Sequence, residues 1–398
     1  MSTSAVRLRR RYPFGRGILG RGALDRRALG RWDWVLVASV LALAAFGALL
    51  VWSATRHRLA AAGLDPQGLL KRHLLNLSIG LALGLVTALA DHRTLRAYAP
   101  VAYVACCGGL LATLLFGTTI NGAHSWIVIG GGFQLQPSEL AKVGLVVSTA
   151  MLLGERRDAE AVSPGSDVPL LLALAAVPLG LVLLQPDVGT AMVLAAVIVG
   201  VVAVSGAPAR WILGLLLAGA LTAVLAVHLG ALKDYQLERF TSFANPAADT
   251  DGAGYATRQA RIAIGSGGLL GKGLFQGGQT SGAFVPEQQT DFIFTVAGEE
   301  LGLLGGSLII GLLGLILWRG LSIAARAPDL FGRLVATGVV SWFAFQSFVN
   351  IGMTLGIMPV TGLPLPFVSY GGSAMFANLI AVGLLLNIRL RNTGPPYP

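Results

Sequence analysis

Asp291 stands where a polar, glycine-rich segment gives way to a long apolar run, in the stretch 285–302, VPEQQTDFIFTVAGEELG. Glu299 and Glu300 lie further inside the same run. An acid at the mouth of a hydrophobic helix is costly unless it has a partner or a task. Two readings stand for Asp291. It is an N-terminal cap, a position Asp favours, or it is a carboxylate with chemical work to do.

Other polar residues recur at helix-start positions. In QPSELAK (136–142), Gln136, Glu139 and Lys142 are spaced three apart and share one helix face, with Pro137 and Ser138 in the first turn. Glu139 and Lys142 read as a structural buried ion pair or as a cation held by its acid neighbour and aimed at an anionic substrate. In QPDVGTA (185–191), Asp187 reads as a cap. Arg239, in ERF, reads as a phosphate contact or as a solvated loop arginine. Gln259 lies with Arg258 and Arg261 in YATRQARIAIGSGG, which has the pattern of a short amphipathic helix at a membrane surface. The segment GSGGLLGKG (265–273) suggests a phosphate loop but fails on spacing. Ser266 and Gly273 stand where that motif needs Gly and then Ser or Thr. A flexible re-entrant loop fits better.

The elements that position these residues are membrane helices. Of 398 residues, 54% are hydrophobic and 12% charged, and the mean hydropathy is +0.71. That excludes an ordinary soluble domain and fits an all-α polytopic membrane protein. Cys106 and Cys107 are adjacent in an apolar run, so no disulfide framework or metal motif is expected. Ten spans are expected near 33–54, 73–90, 97–117, 138–154, 168–184, 187–205, 211–229, 291–318, 333–355 and 370–388. A basic tail of nine arginines precedes them over 1–32, a membrane domain fills 33–390 and a short tail closes 391–398. The tail leads into a full-length span, so no cleavable signal peptide is expected.

Charge sets the orientation. Most of the 29 Lys and Arg fall in the tails and short loops on one side, which places both termini in the cytoplasm. The net charge of +10 is therefore topology, and no nucleic-acid partner is expected. The long loop at 230–290, between the seventh and eighth spans, lies outside. Four spans then begin at the extracytoplasmic face with polar residues: 136–142, 185–191, 290–294 and 368–373. Four polar starts at one level imply a shared outer cavity. The loop 357–369, IMPVTGLPLPFVS, carries three prolines and no charge, so it should fold back over that cavity.

Together NGAHSWI, QPSELAK, QPDVGTA, the ERF loop, GKGL, VPEQQTDFIFTVAGEELG and GLPLPFVSYGGS resemble the SEDS family (shape, elongation, division and sporulation), from about Trp34 to Asn387. GLPLP at 362–366 and NIGMTLGIMPV look like the rod-shape elongation branch, RodA; the division branch, FtsW, usually has threonine where Pro364 stands. Gln288 and Gln289 stand where members often have a residue plus histidine.

The resemblance implies a peptidoglycan glycosyltransferase of the bacterial inner membrane, with lipid II as substrate. It implies a class B penicillin-binding protein as partner, alongside membrane lipid and other elongation-complex proteins. Asp291 matches the family's essential acid, and Glu139 and Lys142 match polar residues of the same cavity. The expected chemistry makes Asp291 a general base for the attacking hydroxyl. Lys142 and Arg239 would stabilise the departing polyprenyl diphosphate, with Gln136, Ser138, Glu139 and Gln259 completing the substrate site. An α-linked donor would give a β product by a single inverting displacement. No cofactor is required; a divalent cation, Mg or Mn, is left open. Two rivals remain: a lipid II flippase, and a non-catalytic scaffold for a penicillin-binding protein. Gly302, Gly305, Gly306 and Gly311 offer a close-packing surface to a partner helix.

Overall fold

The computed structural model describes residues 30–120, 123–130, 133–159, 165–230, 234–244 and 252–391. Most of the expected basic tail and of the short C-terminal tail lies outside the described residues.

Each of the ten expected spans falls on helix. The first four are α1 (Trp34–Ala61), α2 (Gly68–Leu89), α4 (Ala99–Phe116) and α5 (Pro137–Ala159), with a short α3 (His92–Ala97) before α4. Then come α6 (Val168–Leu184), α7 (Val188–Val204) and α8 (Ala209–His228). The long loop that follows carries α9 (Asp234–Ala244), α10 (Ala253–Gly267) and α11 (Gly278–Ser281). The chain ends with α12 (Ile293–Glu300), α13 (Gly302–Arg326), α14 (Leu330–Leu355) and α15 (Gly372–Arg391). Among the described residues, seven helices are long and apolar enough to cross a membrane by length and composition. Their composition and number make this a multi-pass membrane protein.

Burial grades outward from α14 and α15. Trp342, Phe343 and Val349 of α14 are sealed among neighbouring helices. α8 has no buried residue, and its Leu213, Leu216, Leu217 and Leu221 are exposed. An apolar helix with no protein cover is matched to lipid. α15 packs most intimately on α2, where Gly84 faces the backbone of Leu379 and Gly383 faces that of Gly84. Small residues let the two backbones approach.

Two features depart from the expected pattern. A three-stranded antiparallel sheet, β1 (Thr118–Ile120), β2 (Ala123–Gly130) and β3 (Phe133–Leu135), fills the loop between α4 and α5. The run Trp126-Ile127-Val128-Ile129 is short and rich in β-formers, a strand signal hidden by the surrounding apolar helices.

The second departure is a break in the expected span 291–318. α12 ends at Glu300, Gly302 turns left-handed (φ +65°), and α13 carries the crossing. The glycine-rich loop supplies the backbone bonds that a continuous helix would have made. Gly268 and Leu269 carbonyls accept from Leu303 and Leu304 amides at 2.9 and 3.2 Å; Lys272 and Gly273 amides donate to Glu299 and Glu300 carbonyls, each at 3.0 Å. A Cβ at Gly267 or Gly271 would strike the Gly298 or Glu300 carbonyl. The glycines of the phosphate-loop lookalike serve this close approach, not a nucleotide.

Side chains reinforce the join. Glu299 accepts from Lys272 Nζ at 2.8 Å, the Gln279 amide at 2.9 Å, and the Thr280 amide and hydroxyl at 2.8 Å each. Gln288 donates to the Thr280 carbonyl at 3.0 Å and to the Ala54 carbonyl of α1 at 2.9 Å, while Ser53 donates to Glu300 at 2.6 Å. Two consecutive residues of α1 therefore hold both ends of the segment that carries Asp291. Of the glycines expected to dock a partner, Gly302 is spent on the turn and Gly306 packs on Phe294 of the same chain.

Candidate active site

All four polar helix starts meet. A cavity of about 440 Å³ is lined by Gln136 from the start of α5, Asp187 from α7, Asp291 from before α12, and Gly371–Ser373 from α15. The returning loop roofs it with Pro359, Thr361, Gly362 and Pro364. The roof is pinned from α14. Asn350 Nδ2 donates to the Leu363 carbonyl at 2.7 Å and to the Asp291 carbonyl at 2.8 Å. Gln346 Nε2 donates to the Pro364 carbonyl at 2.7 Å.

Asp291 is no cap. α12 begins at Ile293, and its cap position, Phe292, makes no side-chain bond. The carboxylate instead faces the cavity from the turn ahead of the helix. Burial pushes it up to about 7, and the charge of Glu287 pushes the same way; Arg239 and the Thr290 hydroxyl oppose the rise, and Asp187 adds to it. Arg239 stands across a narrow gap. A methyl on Gly362 would lie 3.6 Å from Asp291 Oδ2 and 4.0 Å from Arg239 Nη1. Gly362 is left-handed, with φ +75°, so both its backbone and the space beside it suit glycine.

Asp187 caps α7 through the Thr190 amide at 2.9 Å and the Thr190 hydroxyl at 2.8 Å. Its second oxygen also takes Gln136 Nε2 at 3.3 Å and Ser138 Oγ at 3.4 Å. Gln136 thus lines the cavity, while Ser138 is fully buried behind it.

Lys142 and Glu139 do not reach the cavity. Their side chains are 0% and 2% exposed and pair at 2.7 Å. Lys142 also donates to Gln346 Oε1 at 3.0 Å and lies 4.9 Å from the Trp342 ring centre. Lys142, expected at the substrate, is not among the lining residues: its ammonium bonds Gln346, whose Nε2 in turn bonds the Pro364 carbonyl of the roof. The spacing of 136, 139 and 142 placed all three on one face, but only its first residue lies at the open end. Gln259, on α10, is not among the lining residues.

Sequence reasoning missed part of the lining. Arg58 from the end of α1, and Leu69, Arg72 and Asn76 from α2, line the same cavity, with Trp126 and Gln134 of the hairpin. Residues 69, 72 and 76 fall on one helix face, a signal that could have been found. Among the described residues, no group of three or more His, Cys, Asp and Glu is placed to hold a metal ion.

The cavity is thus an acid-and-arginine site at the mouths of four helices, closed by an apolar roof. Comparison with known proteins gives the setting. Residues 33–394 match the model of the "Cell cycle protein" family that groups FtsW, RodA and SpoVE. The chain is 38% identical to a protein of Trichlorobacter lovleyi named "Probable peptidoglycan glycosyltransferase FtsW", over 90% of this chain and 93% of that protein. It is 39% identical to "Peptidoglycan glycosyltransferase MrdB" of Escherichia coli K12, over 89% of this chain and 93% of that protein. A solved structure titled "Structural coordination of polymerization and crosslinking by a peptidoglycan synthase complex" contains a similar chain. It superposes with a TM-score of 0.76 at 35% identity, covering 92% of this chain and 99% of that one.

Proposed function

The chain belongs to the FtsW, RodA and SpoVE family, as a multi-pass membrane peptidoglycan glycosyltransferase, and we propose that it polymerises lipid II in the outer cavity with Asp291 as general base. The observation that carries this reading is the Asp291 carboxylate. It faces the cavity, caps nothing and stands beside Arg239.

The attacking sugar hydroxyl gives its proton to the Asp291 carboxylate as its oxygen bonds to the donor's anomeric carbon. The bond from that carbon to the diphosphate oxygen breaks, and the electron pair leaves with the polyprenyl diphosphate. Arg239 stabilises the charge growing there. One displacement inverts the anomeric centre, so no carboxylate nucleophile is required. Gln136 holds Asp187 in the wall, and Lys142 acts behind it by fixing Gln346 and the roof. The GLPLP roof, through its resemblance to the rod-shape branch, favours a role in elongation. By analogy with the synthase complex, a class B penicillin-binding protein is the partner.

Polymerisation from purified lipid II, with and without that partner, tests the reading. Asp291→Asn keeps the size of the side chain but cannot take a proton. It should express normally, bind the partner and lose about 10²–10⁴ in rate. A wild-type rate would overturn the assignment.

A further inference from the structure

Three consecutive carbonyls, at residues 289–291, run just ahead of α12, and each takes a hydrogen bond from a different donor. The Gln289 carbonyl accepts from the Tyr370 amide at 2.9 Å. The Thr290 carbonyl accepts from Ser369 Oγ at 2.5 Å. The Asp291 carbonyl accepts from Asn350 Nδ2 at 2.8 Å. Two of these donors belong to Ser369 and Tyr370, which lead from the roof into α15.

The Ser369 hydroxyl makes a second bond. While it donates to Thr290, it accepts from the Leu365 amide of the roof at 2.8 Å. The Ser369 amide bonds the Leu365 carbonyl in return, at 3.1 Å. A hydroxyl has one proton to give and lone pairs to receive, so one oxygen joins roof and strip at once. Ser369 and Leu365 are both buried.

The turn that presents this hydroxyl is held from two sides. Phe367 is left-handed, with φ +67°, an outlier for a bulky residue. Its ring packs edge-on against Phe343 of α14, with ring centres 5.2 Å apart. On α1, Gly47 lies so close that a Cβ there would strike the Val368 carbonyl. Backbone strain of this kind persists where the surroundings over-determine it, and it gathers at active sites.

We propose that Ser369 is a positioning residue for glycosyl transfer: its hydroxyl ties the roof at Leu365 to the backbone ahead of Asp291, and so sets the base against the substrates beneath that roof. This deepens the general-base reading above and rests on it. Ser369 is not among the residues that line the cavity, so it acts through Asp291.

Polymerisation from purified lipid II by the full chain tests this. Ser369→Ala removes the tie. Its kcat should fall by about tenfold or more, since a displacement of about 1 Å at a reacting group costs on the order of 10²-fold. KM for lipid II should not move. Asn387→Ala is the control for lost stability. It takes the donor from the Thr87, Ala88 and Ala90 carbonyls at the far end of α15, and should lower the melting temperature while kcat stays. Equal loss of kcat in the two variants would refute the proposal.

The two backgrounds of Asp291 give the sharper measurement. Residues that act as a unit are non-additive. In Asp291→Asn no base is left to misplace, so adding Ser369→Ala should change the residual rate by less than about twofold. The same fractional loss in both backgrounds would show a merely structural serine and overturn the positioning role, with the base reading intact. A wild-type rate in Asp291→Asn alone would sink the base reading, and the positioning role with it. Ser369→Cys covers the case in which the alanine variant does not fold. The thiol is close in size but a weak donor, so kcat should fall by less than in Ser369→Ala, and again only with Asp291 in place. A folded Ser369→Cys chain with wild-type kcat overturns the assignment.

Discussion

Asn350 holds the backbone of Asp291. Its Nδ2 lies 2.8 Å from the Asp291 carbonyl, and the same nitrogen reaches Leu363 of the roof at 2.7 Å. One buried amide therefore fixes the candidate base relative to the lid over it. Asn350→Ala leaves two buried carbonyls without a donor, at about 1–3 kcal/mol each. Polymerisation should fall on the order of 10²-fold, because a shift of about 1 Å at a reacting group has that effect. Rates from lipid II, set beside melting temperatures of the purified protein, check this. Wild-type turnover in a folded variant would show that Asp291 is held elsewhere.

The pH dependence has a definite sign. A general base works deprotonated. With the Asp291 carboxyl at about 7, kcat/KM should be level above pH 7 and fall about tenfold per unit below it. Glu287→Gln removes a charge that raises Asp291, so the acid limb should move to lower pH. Arg239→Ala removes an opposing charge and should move it higher. Unmoved limbs in both variants would mean that another group titrates.

Lys142 tests a buried pair. Lys142→Ala leaves Glu139 uncompensated in a dry layer, at about 3–5 kcal/mol. The melting temperature should drop sharply, and Glu139→Gln in the same chain should recover part of it. If Lys142→Ala lost activity with no loss of stability, a direct role at substrate would return.

Gly302→Ala places a side chain at φ +65° and against the backbone of Leu269 and Gly271. The left-handed backbone alone should cost about 1–2 kcal/mol, and the contact should open the clasp. Thermal unfolding in detergent reads this. A neutral result would mean that the 268–273 loop is not what holds the break.

Gly311 of α13 has open space at its Cβ position. Gly311→Leu should weaken copurification with a class B penicillin-binding protein. Undiminished copurification would place the docking face on another helix.

Much of the architecture was legible in the sequence. Hydropathy located the helical stretches, and the polar starts at 136, 185, 290 and 368 do converge on one cavity. Depth along a helix was not legible. Three-residue spacing puts Lys142 on the face of Gln136 but cannot say that it is buried against Gln346 and Trp342. The break at Gly302 was hidden for a related reason. Its local sequence is continuous in hydropathy, and the bonds that permit it come from residues 268–273. The Arg72 wall went unread because its charges were counted only as evidence of orientation.

Ser53 and Ala54 are neighbours on α1, yet one holds Glu300 and the other receives Gln288. The segment between these anchors is thus tied to α1 at both ends. Tilting that first membrane helix against α14 would pull on the segment of Asp291, whose carbonyl Asn350 holds from the other side. Bilayer thickness, which sets such tilt, then becomes a quantity that the catalytic acid can feel.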